Sequence, residues 1–274
     1  MSQASFAERR VTLKSRRQLE QMAQAGRVVA DLLDHVGEAL RAGLTTLDLD
    51  DLAMGFLRER GAVPSFVGVP GPKAPYRHAL CISIDDQIVH GVPGRRRLEE
   101  GQIVSVDAGA IVDGWHGDAA RTWVLGEVPP AAARLVDATR RALYAGIAAA
   151  RPGGHLGDIS AAVEDIARAE GFGIVRAYVG HGIGTEMHEE PQVPNYRTGH
   201  PGRRLEPGLC LAIEPMFTLG SHETVLRDDG WTVATRDGSL AAHWEHTMAI
   251  TEEGPRILTT NLPAEERLPA FAAT

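Results

Sequence analysis

The chain has 274 residues, 43% of them hydrophobic, enough to bury one large core or two small ones and too many for a disordered or fibrous protein. Its formal charge of -8 argues against a nucleic-acid-binding surface as the main role, and no run of about eighteen apolar residues is present to cross a membrane as a helix. The two cysteines, Cys81 and Cys210, fall in apolar stretches, where a reduced buried thiol is the usual cytosolic state, so a soluble cytoplasmic protein without a disulfide framework is expected.

In chain order, residues 1–12 are expected to extend beyond the fold, and Arg9, Arg10, Lys14, Arg16 and Arg17 make a basic arm expected to be solvated. Arg9-Arg10 faintly resembles a twin-arginine signal, but Ser15 to Gln21 is polar where an apolar stretch would have to follow. Ser15, with Gln18 three residues on, reads as a capping box. Val28, Val29, Leu32, Leu33, Val36 and Leu40 then recur at helical spacing, which predicts a long amphipathic helix up to Gly43. Further helices are predicted from about Thr46 to Gly61, from Pro130 to about Ala150 and from Asp158 to Gly171, with strands between them.

The Gly43 to Gly61 spacing equals that from Gly153 to Gly171, and Asp48-Leu49 matches Asp158-Ile159 at an offset of 110 residues. Two duplicated halves are one explanation; coincidence between two glycine-ended helices is the other. Helix pairs followed by hairpins, occurring twice, imply an α+β domain with helices over one face of a curved sheet.

The runs from Gln102 to Val112 and from Trp115 to Leu125 meet at Asp113-Gly114, a strong hairpin turn. That turn sets Val112 opposite Trp115 and Gly109 opposite Asp118, so Asp107 lies diagonal to Asp118 on one face, about 7 Å away or less. Gly109 would leave space between the two carboxylates, and Val104, Val106, Ala108, Ala110 and Val112 on the other face suit burial under helices. A cation would relieve the repulsion of two such anions. A solvated face with two ordinary aspartates explains this hairpin equally well.

Further on come Gly-His-Gly-Ile-Gly-Thr-Glu-Met-His-Glu-Glu-Pro from Gly180, Ile-Glu-Pro-Met from Ile213 and His-Trp-Glu-His-Thr from His243. With Asp-Gly-Trp-His-Gly-Asp from Asp113, this ordered set resembles the type I methionine aminopeptidases from about Val11 to Leu258. The resemblance implies a pita-bread fold, with residues 13–262 as a single catalytic domain and 263–274 as a tail. It implies Asp107, Asp118, His181, Glu214 and Glu245 as metal ligands, Asp118 and Glu245 bridging, with Glu214 also shuttling a proton. It places His90 and His188 against the substrate: His188 on the carbonyl oxygen, His90 near the second residue or the leaving amine.

Four carboxylates and one neutral imidazole make a hard, anionic cage suited to two divalent cations such as Mn, Fe or Co. Two metals about 3.5–4 Å apart can share a hydroxide. Glu214 is in any case a charge inside an apolar strand, costly unless something positive neutralises it; a buried salt bridge is the competing explanation. His35, His78, His116, His155, His200, His222, His243 and His246 are left as core or surface histidines. No Gly-x-Ser-x-Gly elbow or Walker-type loop is present, which excludes the serine and phosphate alternatives.

By the same resemblance Phe66, Val69, Cys81, Met187 and Trp231 line a methionine pocket; ordinary core packing is the alternative for each. Val69 and Met187 stand where aromatics are common, and Gly109 where a hydroxyl residue often sits. The segment Pro70 to His78 is expected to form a flexible lip. The implied activity is removal of N-terminal methionine, before a small second residue, from methionyl peptides and nascent chains by a monomer, with the ribosome as a contact. A prolyl-type aminopeptidase is the rival within the fold, though an additional N-terminal domain is usual there. A non-catalytic binder lacking metal ligands is the rival outside it.

Overall fold

Ser15 opens the first helix as predicted: its Oγ accepts from the Gln18 N–H at 3.5 Å, and Gln18 Oε1 accepts from the Ser15 N–H at 2.8 Å. The computed structural model describes residues 11–261. The first half holds helices α1 (Arg16–Ala39) and α2 (Thr46–Glu59) and strands β1 (Val63–Pro64), β2 (Leu80–Ile84), β3 (Gln87–Val89), β4 (Ile103–Val112) and β5 (Trp115–Val124). Helices α3 (Pro130–Ala149) and α4 (Leu156–Glu170) follow, then β6 (Gly173–Ile174), β7 (Gly180–Gly182), β8 (Glu189–Val193), β9 (Cys210–Ile213) and β10 (Met216–Thr218). The remaining strands are β11 (Thr224–Leu226), β12 (Val233–Thr235), β13 (Ala241–His243), β14 (Glu245–Thr251) and β15 (Gly254–Ile257).

Nine strands form one sheet whose path runs β1-β4-β5-β14-β9-β7-β8, with β15 on β14 and β2 on β4; β13-β10-β6 and β11-β12-β3 are smaller sheets. All recorded pairings among these strands are antiparallel. Leu32, Leu33 and Val36 of α1 and Leu49 and Leu57 of α2 pack with Ile82, Val104, Val106 and Ala108 into a core that covers one face of β2 and β4. Leu143, Ile147 and Ile159 of α3 and α4 do the same over Leu211, Ile213 and Met248. The opposite face of the sheet is left for a site.

The halves repeat in their hydrogen bonds. Gly43 N–H reaches Leu98 O and Gly153 N–H reaches Leu205 O, both at 2.8 Å, and the return bonds Leu98 N to Leu44 O and Leu205 N to Gly154 O are also both 2.8 Å. Gly43 (φ 90) and Gly153 (φ 87) share the left-handed conformation that this turn demands. Asp48 and Asp158 each accept the N–H three residues upstream, at 2.7 Å in both cases. A local coincidence would not reproduce this pairing with residues about fifty positions further on.

Two helix ends differ from the prediction. α1 stops at Ala39, with Leu40 already extended (ψ 117), because Gly43 serves the next turn rather than the helix terminus. α4 starts at Leu156, since Asp158 caps from the third helical position and His155 is the true N-cap. The basic arm also divides. Arg9 and Arg10 lie outside the described residues, as do residues 263–274, and Arg16 and Arg17 are exposed. Lys14 instead is buried, its Nζ 2.6 Å from Glu189 Oε2. An ammonium this far from water needs a carboxylate, and the arm's composition carried no sign of one. Cys81 and Cys210 are buried free thiols.

Candidate active site

The Asp113-Gly114 turn (φ 49 and φ 78) sets the β4–β5 register with Val112 opposite Trp115 and Gly109 opposite Asp118. Asp107 faces Ala120, and Ala120 on its other side pairs with Glu245. Directly paired residues of antiparallel strands share a face, so Asp107, Ala120 and Glu245 form one row with only a methyl group between the two acids. The β14–β9 register pairs His246 with Ile213, which carries the row on to Glu214. Two residues back from Glu214, Ala212 pairs with His181 on β7. Asp118 lies two residues from Ala120 on that face. Neighbouring strands β4, β5, β14, β9 and β7 thus bring Asp107, Asp118, Glu245, Glu214 and His181 to one place.

The ladder holds the backbone beneath these side chains. Asp118 N–H donates to Thr247 Oγ1 at 3.0 Å, and that hydroxyl donates to Asp118 O at 2.8 Å. Asn195 Nδ2 donates to Glu214 O at 2.9 Å. His181 Nδ1 lies 2.9 Å from Gly182 O, a carbonyl that can only accept, so Nδ1 carries the proton and Nε2 presents a lone pair. That lone pair stands 3.6 Å from Glu214 Oε1 and 3.9 Å from Asp118 Oδ2. Ligand atoms of Asp118, His181 and Glu245 all lie within 4.8 Å of one another.

Among the described residues no Lys or Arg forms an ion pair with these acids. Asp107 Oδ1, Asp118 Oδ1 and Glu245 Oε1 are buried without a hydrogen-bond partner among the described residues. Burial raises the Asp107 carboxyl, against a hydrogen bond with Asp118. Burial, then the charges of Glu245 and Asp107, holds Asp118 well above the usual range. Burial, then Asp118 and Asp107, does so for Glu214, and burial, then Glu214 and Asp107, for Glu245. Burial, with the nearby His188, lowers His181 to about 3 and keeps it neutral. Orphaned oxygens around a neutral nitrogen fit divalent cations, which would satisfy the lone pairs and cancel the repulsion. The salt-bridge alternative for Glu214 has no Lys or Arg among its ion pairs in the described residues.

One cleft is lined by these five residues together with His90, His188, Phe66, Val69, Cys81, Met187 and Trp231, so every residue singled out in the sequence reaches it. His188 stands edge-on to His181 with ring centroids 4.4 Å apart. His90 adopts φ 59, unusual away from glycine, and its ring meets Tyr178 edge-on at 5.7 Å. Gly91 beside it must be glycine, since a Cβ would lie 2.1 Å from Ile82 O. Burial, then the charge of His188, lowers His90 to about 4.

The space over Gly109 is not open between the carboxylates as expected: a Cβ there would lie 2.8 Å from Ser65 Cβ and 3.1 Å from the Phe66 ring. Ala120 is the small residue between Asp107 and Glu245. Segment 70–78, expected as a flexible lip, is tied down, with Gly68 N–H on Tyr76 O and Tyr76 N–H on Val69 O at 2.9 Å each, and Trp231 Nε1 on Ala74 O at 3.2 Å. The sequence reading missed Tyr76, which lines the cleft, meets Trp231 edge-on at 4.9 Å and donates to Leu80 O at 2.9 Å. Nothing in a Pro-Gly-rich loop marks one tyrosine as a wall. His243, left as a core or surface histidine, is buried with Nε2 toward Glu214 and Glu245. Its place two residues before Glu245 was the available signal.

The model of metallopeptidase family M24 matches residues 20–252. Methionine aminopeptidase 1 of Mycobacterium tuberculosis is 49% identical over 258 residues, 91% of this chain and 95% of that protein. The chain belongs to family M24, within its methionine aminopeptidase group. Methionine aminopeptidase A of Synechocystis is 46% identical over 91% of this chain and 97% of its own length. The crystal structure of methionine aminopeptidase from Thermotoga maritima superposes with a TM-score of 0.88 at 40% identity, covering 92% of this chain and all (100%) of that one. The architecture is therefore the pita-bread fold that the resemblance to type I methionine aminopeptidases implied. The Xaa-Pro dipeptidase of Bacillus anthracis shares that fold, with a TM-score of 0.72 at 21% identity, and this chain covers 62% of it.

Proposed function

We propose that this chain is a cytoplasmic metalloaminopeptidase that removes the N-terminal methionine from nascent polypeptides with a small second residue, acting as a monomer in contact with the ribosome. The observation that carries the reading is the row of five ligand-type side chains on adjacent strands, with orphaned oxygens, in the cleft that Phe66, Tyr76, Cys81, Met187 and Trp231 close with apolar surface. Asp107, Asp118, His181, Glu214 and Glu245 would hold the divalent cations there. Bound there, such cations would supply Lewis acidity and make an attacking water more acidic.

The protein's own groups do the rest. The apolar wall takes the methionine side chain, and the acidic row beside it favours the free α-amine, which restricts action to chain ends. His188 donates to the scissile carbonyl oxygen as negative charge develops there. Glu214 takes a proton on its carboxylate and passes it to the leaving amine, while His90, neutral in its buried setting, contacts the backbone of the second residue. A preference for a small second residue follows from the family resemblance.

Release of methionine from Met-Ala and Met-Leu peptides by protein loaded with Mn, Fe or Co in turn tests the reading. Cleavage of Met-Ala well above Met-Leu supports it. Hydrolysis of Xaa-Pro peptides alone, or no turnover with any of the three metals, refutes it.

A further inference from the structure

Glu214 lies between two imidazoles. His181 Nε2 is 3.6 Å from its Oε1, and His243 Nε2 is 3.9 Å from its Oε2 and equally 3.9 Å from Glu245 Oε2. The His243 residue is 2% exposed, and its Nε2 is buried with no hydrogen-bond partner among the described residues. Such a nitrogen is costly to leave unpaired, so its retention needs a reason. The main chain that carries the ring is fixed on both sides. His243 N–H donates to Thr122 Oγ1 at 3.1 Å, that hydroxyl donates to His243 O at 2.7 Å, and Met216 pairs with His243 across β10. The two carboxylates are the groups that can adjust.

We propose that His243 is a positioning residue whose Nε2–H holds Glu214 and Glu245 in place as cation ligands. An ionised carboxylate only accepts, so the facing nitrogen must carry the proton. The 3.9 Å gaps lie outside hydrogen-bond range, and a shift of about 1 Å in either carboxylate closes one to a charge-assisted bond. Glu214 then has Oε1 turned to the cation side, where His181 waits, and Oε2 tethered. The role rests on the reading of Asp107, Asp118, His181, Glu214 and Glu245 as ligands.

Titration calorimetry with Mn(II) on the full chain tests it, using wild type, His243→Leu, His243→Gln and Glu214→Gln, with thermal melts of each in chelator. His243→Leu keeps the packing without the donor and should weaken Mn(II) binding about 10–100-fold with the metal-free melting temperature unchanged or raised. His243→Gln, which restores an N–H donor, should recover most of the affinity. If the leucine variant does not fold, His243→Met supplies the donor-free comparison, because its side chain adapts to irregular space. Wild-type affinity in the donor-free variant, or glutamine as weak as leucine, overturns the role of His243. A metal-free melting temperature that falls while affinity stays constant does so too, marking a merely structural histidine. Wild-type Mn(II) affinity in Glu214→Gln overturns the ligand reading itself, whereas weak binding there beside normal His243→Leu overturns only the inference.

Discussion

Asp118 and Glu245 are 3% and 2% exposed, and each has a carboxylate oxygen with no partner. Neutralising either should act in opposite directions on activity and on the metal-free fold. Asp118→Asn and Glu245→Gln should each reduce methionine release by on the order of 10³-fold or more, since each would remove an anionic ligand of the proposed cation site. In chelator, the same variants should melt no lower than wild type, and stabilisation by about 1–3 kcal/mol is expected from removing a buried carboxyl that must take up a proton to fold. Methionine release and urea denaturation in chelator read the two effects; a variant that unfolds more easily in chelator would contradict the burial argument. His188→Ala, which removes a donor but no ligand, should lower kcat about 10²–10³-fold with Mn(II) affinity unchanged.

Lys14 is a second residue whose surroundings decide its meaning. Its ion pair with Glu189 is 2.6 Å long with side chains 4% and 10% exposed, and Glu189 Oε1 also accepts the Thr185 and Glu186 N–H groups at 3.0 and 3.4 Å. Removing one partner strands the other, so Lys14→Met should cost about 3–5 kcal/mol by urea denaturation. The Glu189 carboxyl is pushed up by burial but pulled further down by the Lys14 hydrogen bond and charge, to a net value below its usual 4.5. A depressed carboxyl contributes stability that is complete above its unfolded value and lost as pH falls through the folded one. The advantage of wild type over Glu189→Gln should therefore hold steady at neutral pH and shrink below about pH 4.5. An advantage independent of pH down to about 3 would show that the pair is not ionic.

At the scale of elements, what could be read in advance followed from local rules. The capping box at Ser15, the Asp113-Gly114 hairpin with its register, and the matched turns at Gly43 and Gly153 are each encoded within a few residues. The end of α1 was hidden because Gly43 looks like a helix terminus but serves the following turn. Likewise Gly109 was expected to leave room that Ser65 and Phe66 take up, and the place of Ala120 between Asp107 and Glu245 shows only once β14 lies beside β5. This gives Ala120→Val a specific outcome. Two added methyl groups between Asp107 and Glu245 should cost about 1–3 kcal/mol of stability and weaken Mn(II) binding, whereas the same change at a packed alanine away from the row affects stability alone. Unchanged Mn(II) affinity in Ala120→Val, measured by calorimetry, would show that the row is not the cation site.

At the scale of the whole molecule, the site exists because the halves close on each other. Asp107 and Asp118 come from one hairpin and could be paired from sequence, but Glu214, Glu245 and His181 join them only through the order β5-β14-β9-β7, which no local pattern specifies. Their candidacy in the sequence came from family resemblance, and so did that of His90 and His188, whereas Tyr76 and the orientation of His243 needed the folded chain. The helices bury the outer face of this sheet so that the acids can converge on the other. Crystals of the protein soaked in manganese, measured at a wavelength where manganese scatters anomalously, test the convergence directly. The account predicts two anomalous peaks about 3.5–4 Å apart, ringed by Asp107, Asp118, His181, Glu214 and Glu245. No peak among those five side chains, or manganese bound only elsewhere on the molecule, would contradict it.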